Sequence, residues 1–276
     1  MKLLLLGTAA AEAWPAPFCS CPACRHARSA GGRNIRRRSS ALLDDSLLVD
    51  FGPDTSAQVQ AFNRSLSNVT TLAFTHHHED HLSPDEIAYR AAPFTVSTDL
   101  PLMQIFGSET VVEILRTKFP DAAWNREKAR MVIEEALIPH EARTAADGAR
   151  ILPLPADHAP KSLVLRIAKN GRSFLYGHDT GLFPDETIEA LRGAPLDLVL
   201  LDCTYGAAES SNRGHMGIDG VIETAKRLGE VGAVTKETRL VATHYSHNGK
   251  ASYEELVSRL APEGILAAYD GLEIEF

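Results

Sequence analysis

Short apolar segments recur along the chain, and each is bounded by residues that favour turns. Leu, Val and Ile dominate these segments, which is typical of buried β-strands. The closely spaced segments in the first half predict hairpins followed by strand–helix units, and those in the second half predict a meander followed by further strand–helix units. Strands are predicted over residues 2–7, 40–45, 46–52, 70–76, 94–98, 150–156, 162–168, 173–179, 197–204, 239–245 and 265–276.

Segments with helical periodicity lie between the apolar ones. Helices are predicted over residues 53–66, 108–119, 184–193, 217–234 and 252–261. Strands and helices in this order favour an α/β fold (α+β in some schemes) of stacked sheets with flanking helices. Because no repeat of fixed period and no low-complexity linker divides the chain, we expect one domain over residues 1–276.

The composition and net charge of the chain limit the kinds of molecule that it is expected to bind. The chain has 276 residues, of which 44% are hydrophobic and 23% are charged, and its net charge is −8. An acidic chain is a poor match for the phosphate backbone of a nucleic acid, which is bound through clustered Lys and Arg. One basic run, residues 31–40, is interpreted as a solvated loop, with an edge that faces phosphate as the alternative.

The N-terminal apolar run is shorter than the apolar region of a secretory signal, and no segment approaches the roughly 20 apolar residues of a membrane span. We therefore expect a cytoplasmic protein without membrane contact. In a reducing compartment, clustered cysteines favour metal binding over disulfides.

The segment THHHEDH, residues 75–81, directly follows the apolar run TTLAF of a predicted buried strand. Alternate side chains of an extended segment share a face, so His76 and His78 are predicted to point together. Asp80 and His81 then lie in the following turn, beside the same pocket. Imidazole and carboxylate together suit Zn, Mn or Fe, so the segment predicts a metal site.

This segment resembles the HxHxDH signature of the metallo-β-lactamase superfamily, whose four-layer αββα sandwich agrees with the predicted order of strands and helices. The resemblance implies further ligands at later strand-to-loop junctions, and three residues occupy such positions: His158, Asp179 and His244. A turn-forming role is the alternative for Asp179. His178 beside it is predicted to be a turn residue or a support for its neighbour.

By the same resemblance, seven residues hold two catalytic divalent metals, either Zn or Mn. One metal takes His76, His78 and His158, the other takes Asp80, His81 and His244, and Asp179 bridges them. Two cations about 3.5–4 Å apart require a shared anionic ligand, and together they convert a bridging water into hydroxide near neutral pH.

Three of the four cysteines, Cys19, Cys21 and Cys24, lie within six positions. Three thiols cannot all pair with one another, and a tetrahedral zinc site would need one further ligand. Cys203 and His247 are the two candidates. We favour His247, because it follows His244 by three residues and one loop could serve both sites, whereas Cys203 follows an apolar strand and suits the core.

The cysteine cluster, the nearby arginine run and the closing THYSH resemble the PhnP-type phosphodiesterases. This resemblance implies an accessory structural zinc, held by the three cysteines and His247, that ties the N-terminal loop to the loop of His244. Proteins of the PqqB type share a similar cysteine cluster.

In SSNRGHMGIDG, His215 resembles the catalytic histidine of the PhnP and tRNase Z groups, which implies a general acid; a histidine at a helix start is the alternative. Asp80 is predicted to be a catalytic residue together with His215. Arg213 is a candidate for holding a phosphate oxygen. His26 and His140 are predicted to be surface histidines.

These observations favour a dimetal phosphodiesterase for a small cyclic or nucleotide-like phosphate diester, with a metal-bridging hydroxide as nucleophile and His215 as general acid. One alternative is a thioester or lactam hydrolase of the same fold, similar to glyoxalase II. Another is a non-catalytic binding protein of the PqqB type. A tRNA nuclease is disfavoured by the acidic composition, and a homodimer is a further expectation from the resemblance.

Overall fold

The computed structural model describes residues 1–276 and contains two seven-stranded β-sheets. The strands are β1 (Lys2–Gly7), β2 (Ser40–Leu43), β3 (Leu47–Val49), β4 (Thr71–Ala73), β5 (Met103–Phe106), β6 (Met131–Ile133), β7 (Arg143–Thr144), β8 (Arg150–Pro155), β9 (Leu163–Lys169), β10 (Arg172–Gly177), β11 (Leu198–Asp202), β12 (Arg239–Thr243), β13 (Ile265–Ala267) and β14 (Glu273–Glu275).

Eight α-helices and four short 3-10 turns connect the strands. The helices are α1 (Pro22–Ala30), α2 (Thr55–Ala61), α3 (Pro84–Ile87), α4 (Glu109–Lys118), α5 (Ala122–Glu127), α6 (Asp185–Ala190), α7 (Ile218–Glu230) and α8 (Tyr253–Leu260). None of them is long and apolar enough to cross a membrane.

Each sheet mixes parallel and antiparallel pairs. The first has the order β14-β1-β2-β3-β4-β5-β6, and its strands from β3 to β6 run parallel. The second has the order β13-β12-β11-β10-β9-β8-β7, and its strands from β10 to β13 run parallel. Parallel neighbours bring their carboxyl ends to the same sheet edge, which is where chemistry is assembled in many α/β proteins.

The layers follow from alternation along the strands. In β1, Leu3 and Leu5 belong to the larger core cluster, which also contains the inner faces of the second sheet. Leu4 and Leu6 point the other way, into a second cluster with Val111 of α4. The result is helix, sheet, sheet, helix, and the predicted αββα sandwich is confirmed.

Two predicted strands are wrong. Residues 94–98 form no strand, since Phe94 and Val96 are 66% and 94% exposed, and β5 pairs with β4 instead. Residues 265–276 form two strands in different sheets, β13 and β14, separated by a turn. A short β-branched segment has the same local pattern whether or not a partner strand is available, so pairing decides the outcome.

The basic run is not the solvated loop that its composition suggests. Arg36 is fully buried, with its guanidinium carbon 4.3 Å from the centre of the Tyr245 ring, and it donates hydrogen bonds to Thr8 and to the carbonyl of Ala268. Its neighbours Arg37 and Arg38 form ion pairs with carboxylates. Arg36 therefore connects Thr8 in the N-terminal loop to the segments that follow β12 and β13.

Candidate metal centres

Three neighbouring parallel strands end together at one edge of the second sheet. In their register Gly177 of β10 lies opposite Leu201, and Asp202 of β11 lies opposite Thr243 of β12. The residues that follow, Asp179 and His244, adopt positive φ angles of 55° and 60° and so turn sharply out of the strands. Side chains far apart in sequence thereby meet at this edge.

The other half of the centre comes from the first sheet. After β4, the amide of Thr75 donates to Oδ1 of Asp50 at 2.9 Å, and Nδ1 of His81 lies 2.7 Å from Oδ2 of the same carboxylate. Asp50 is completely buried at the end of β3. It was not predicted as a site residue, although a buried aspartate directly after an apolar strand is a recognisable signal.

A first group consists of three histidines, His76, His78 and His158, whose ring nitrogens lie within 4.8 Å of one another. Nδ1 of His78 is 3.0 Å from Nε2 of His76 and 3.2 Å from Nε2 of His158. The outward nitrogen of His158 lies 3.2 Å from the carbonyl oxygen of Gly214. This outer contact orients the His158 ring so that its Nε2 faces the other two histidines.

A second group consists of Asp80, His81 and His244. Nε2 of His81 is 3.1 Å from Oδ2 of Asp80. Asp179 lies between the two groups: its Oδ2 is 2.9 Å from Nε2 of both His81 and His244, and its Oδ1 is 3.7 Å from Nε2 of His158. All seven predicted ligands are thus brought together, with the Asp179 carboxylate facing both groups.

The donor atoms fit divalent cations. Nε2 of His81 and Nε2 of His244 are buried, and neither has a hydrogen-bond partner of suitable geometry. Burial lowers the pKa of His244, yet the carboxylates of Asp179 and Asp202 raise it to about 10. The carboxylates therefore create a strongly negative potential at this point, which a bound cation would neutralise.

His215 lies beside the first group. One of its ring nitrogens is within 4.8 Å of ligand atoms of His158 and Asp179, and its side chain is 22% exposed. Its Nδ1 is 2.9 Å from Oδ2 of Asp202, a fully buried carboxylate that also accepts from the amides of Thr204 and Met216. Burial lowers the pKa of His215, but the hydrogen bond to Asp202 raises it above the ordinary value.

Asp202 was not among the predicted site residues. Its position is nevertheless signalled by LVLLDC, in which a single carboxylate ends an otherwise apolar strand. Thr204 lies beside it, with its hydroxyl 2.8 Å from Nδ1 of His244. One carboxylate and one hydroxyl therefore orient both His215 and His244.

Four other residues from the sequence analysis lie outside the two groups of ligand-type residues. Nε of Arg213 donates to Oδ2 of Asp157 at 3.0 Å, and the Arg213 side chain is 79% exposed at the rim near His158. His178 is buried, with Nδ1 3.3 Å from Oδ2 of Asp179, which agrees with a supporting role. His26 is exposed, and His140 pairs with Glu186 at the surface.

The cysteine cluster forms a separate group with His247. Ligand atoms of Cys19, Cys21, Cys24 and His247 lie within 4.8 Å of one another, and Nδ1 of His247 is 3.7 Å and 3.5 Å from the sulfurs of Cys19 and Cys21. Burial raises the pKa of the Cys21 thiol, but hydrogen bonds from the Cys24 amide and His247 lower it to about 6. A thiolate is the form that binds metal, so this group can hold a structural ion.

Cys203 is not the fourth member of this group. It is fully buried in the main core, and its amide donates to the carbonyl of Thr243. Burial raises the pKa of its thiol far above the ordinary value, which suits a packed core residue.

A backbone contact at Gly52 supports the metal centre and gives a first prediction. A Cβ atom at position 52 would lie 2.0 Å from the carbonyl oxygen of Asp80. We expect Gly52→Ala to lower the free energy of unfolding by about 3 kcal/mol and to displace the Asp80 segment. Gly229→Ala in α7, where no atom lies within 4 Å of the added Cβ, is the matched control, because alanine favours helices by about 1 kcal/mol.

Denaturant unfolding of the two variants measures the difference, and the metal content of Gly52→Ala measures the local displacement. Equal stability of Gly52→Ala and the unsubstituted protein would contradict the close packing of these two segments.

Comparisons with known proteins agree with this geometry. The family model of the beta-lactamase superfamily domain matches residues 46–245, which is most of the chain. The chain therefore belongs to this superfamily, the metallo-β-lactamase class of αββα proteins. No curated protein sequence matches the chain significantly.

Among solved structures, a diphosphatase from the PhnP family is 25% identical, with a TM-score of 0.74 over 100% of this chain and 97% of that chain. Zn²⁺-bound PqqB from Methylobacterium extorquens is 16% identical, with a TM-score of 0.75 and 100% of both chains covered. The short form of human tRNase Z is 16% identical, with a TM-score of 0.65 over 100% of this chain and 99% of that chain. The similarity to PqqB and to tRNase Z shows only that this chain shares their fold.

The superfamily match and the buried His and Asp groups together define a metal-dependent hydrolase of the metallo-β-lactamase fold. The set of ligand-type residues suits a dinuclear site, and the cysteine group suits a further structural ion.

Proposed function

We propose that this protein is a dimetal phosphodiesterase for small cyclic or nucleotide-like phosphate diesters, with His215 as general acid. One observation carries the proposal: His215 is held by the buried Asp202 at 2.9 Å and stands beside the first histidine group, with ring centres of His158 and His215 4.8 Å apart. This position supports a role for His215 as proton donor beside the predicted metal pair.

The chain's own residues account for the acid step. Two divalent cations in this centre would acidify a shared water and withdraw charge from a phosphoryl group. The Asp202 carboxylate holds Nδ1 of His215, so that the other ring nitrogen is available to donate a proton to the departing ester oxygen. The hydrogen bond to Asp202 raises the pKa of His215, which favours the protonated ring that a donor requires.

Arg213 supplies a positive charge at the edge of the candidate site, near His158. Arg213 is exposed and bound to Asp157 through Nε alone, so the rest of its guanidinium fork is available to a phosphate oxygen. This arrangement supports a phosphorylated substrate over an S-acyl compound, which offers no anionic oxygen at the reacting centre.

The test compares leaving groups in His215→Ala. We expect kcat for a 2′,3′-cyclic nucleotide, whose alkoxide needs a proton, to fall about 10²–10⁴-fold. Bis(p-nitrophenyl) phosphate should lose much less, because nitrophenolate departs without protonation. His140→Ala, which removes a surface histidine, is the control.

Equal loss on both esters, or no loss on either, would remove His215 from the acid role. Turnover of S-acylglutathione without any turnover of diesters would favour the thioester hydrolase instead. A protein that holds only the accessory ion and turns over neither compound would favour the PqqB-like binding protein.

Hydrolysis of a diphosphate is a second candidate function. It is favoured by the similarity to a PhnP-family diphosphatase at 25% identity. A phosphate leaving group carries its own negative charge well, so His215→Ala should affect diphosphate hydrolysis less than cyclic nucleotide hydrolysis. A substrate panel that contains both compounds separates the two functions.

A further inference from the structure

The N-terminal loop, residues 8–18, is hydrogen-bonded to the segment that carries His244 and His247. The amide of Ala10 donates to the carbonyl of Tyr245 at 3.0 Å, and the amide of Tyr245 donates to the carbonyl of Thr8 at 2.8 Å. These two bonds attach the loop to the segment between His244 and His247. The loop carries one acidic side chain, Glu12, which is 31% exposed and which the motifs did not single out.

Glu12 contacts the face of His247 that is turned away from the thiols. Its Oε1 is 3.5 Å from Nε2 of His247 and accepts a hydrogen bond from the hydroxyl of Ser246. The opposite ring nitrogen, Nδ1, faces the sulfurs of Cys19 and Cys21. A neutral imidazole has one N–H and one lone pair, and a carboxylate beside Nε2 favours the tautomer with the proton there, which leaves the Nδ1 lone pair for a metal ion.

Ser246 extends the contact toward the catalytic centre. Its amide donates to the carbonyl of Thr204 at 3.2 Å, and the Thr204 hydroxyl lies 2.8 Å from Nδ1 of His244. The Ser246 hydroxyl also accepts from the amide of Asn248 at 3.0 Å. Glu12 is therefore bound to a segment whose two ends carry ligands of two different groups.

We infer that Glu12 is a positioning residue that orients His247 toward the three thiols and thereby fixes the loop of His244. The inference rests on metal binding by the cysteine group and is independent of which ester or anhydride the catalytic centre hydrolyses. It assigns a role to a carboxylate that neither the motif nor the ligand set identifies.

Release of the accessory ion tests this role directly. The full-length protein is loaded with Zn²⁺, and transfer of Zn²⁺ to a chromogenic chelator is followed for the unsubstituted protein, Glu12→Ala and Glu12→Gln. Because the carboxylate beside Nε2 of His247 is lost, we expect Glu12→Ala to bind the accessory ion about 10–100-fold more weakly. Glu12→Gln keeps an acceptor oxygen and should recover part of the affinity.

Glu141→Gln is the matched control, since this exposed side chain lies outside both groups and should leave Zn²⁺ release unchanged. Co²⁺ loading adds a spectroscopic measurement: the cobalt–thiolate absorption should shift in Glu12→Ala, because His247 no longer holds its orientation. If Glu12→Ala releases Zn²⁺ as slowly as the control and keeps the same cobalt spectrum, the inference is overturned. That result would leave diester hydrolysis untouched, so the two proposals fail separately.

Discussion

Replacement of Asp179 by asparagine is expected to lower kcat/KM by about 10³–10⁴-fold, which corresponds to about 4–6 kcal/mol of transition-state stabilisation. The Asp179 carboxylate faces both groups: its Oδ2 is 2.9 Å from Nε2 of both His81 and His244 in the second group, and its Oδ1 is 3.7 Å from Nε2 of His158 in the first. Burial raises the pKa of Asp179, yet His244 and His81 hold it well below its ordinary value, so the group is ionised. A neutral amide has the same shape without the charge that two cations would share.

Steady-state kinetics and metal analysis of Asp179→Asn provide the measurement. The catalytic metal content should fall while the accessory ion is retained, because the cysteine group has its own ligands. Asp85→Asn is the control, since Asp85 is an exposed carboxylate paired with Lys118. Full activity in Asp179→Asn, with unchanged metal content, would rule out a bridging role.

Replacement of Cys21 by serine is expected to release the accessory ion and to lower the free energy of unfolding by about 3 kcal/mol, a loss typical of a disrupted metal site. For a chain of this size the melting temperature should fall by about 6–12 °C. The sulfur of Cys21 accepts from the Cys24 amide at the start of α1 and lies 3.5 Å from His247, so its loss affects both ends of the group.

Cys203→Ala is the control that distinguishes disruption of the metal group from removal of a thiol elsewhere in the chain. Cys203 lies in the core, outside the metal group, so this variant should keep the accessory ion and lose only packing energy, about 1 kcal/mol. Inductively coupled plasma analysis and thermal unfolding compare the two variants. Loss of the ion in Cys203→Ala would show that the assignment of His247 as fourth ligand is wrong. Retention of the ion in Cys21→Ser would show that the cysteine group does not hold it.

Much of the fold could be predicted from the strands because burial on both faces leaves a continuous apolar pattern in the sequence. β10, β11 and β12 were predicted in this way, and each was predicted to end near a candidate site residue. The wrong strand predictions arise because the sequence does not show which segments pair with a neighbouring strand. Phe94 and Val96 have the composition of a strand but remain in solvent, whereas β5 has a partner in β4. Pairing is a property of the whole sheet and leaves little trace in a five-residue segment.

The candidate site could be predicted to a similar extent. HxHxDH is a distinctive local pattern that predicts a metal site, and the resemblance to the metallo-β-lactamase superfamily, which rests on it, implies the three later ligands at strand-to-loop junctions. Asp50, Asp202 and Glu12 were not predicted. Each contacts a histidine that belongs to a different segment of the fold, so only the folded chain shows what it contacts.

By itself, the sequence determined the α/β class, the metal-type chemistry and the clustered thiols, because the order of apolar segments and the spacing of ligand-type residues are local patterns. The four-layer arrangement was implied by the family resemblance. Only the tertiary structure decided that His247 joins the cysteines while Cys203 enters the core, and that the Asp179 carboxylate faces both groups. The reason is physical: metal-type centres are built from atoms a few ångströms apart, and chain segments more than 200 residues apart in sequence meet at such distances only when the sheets have paired and packed.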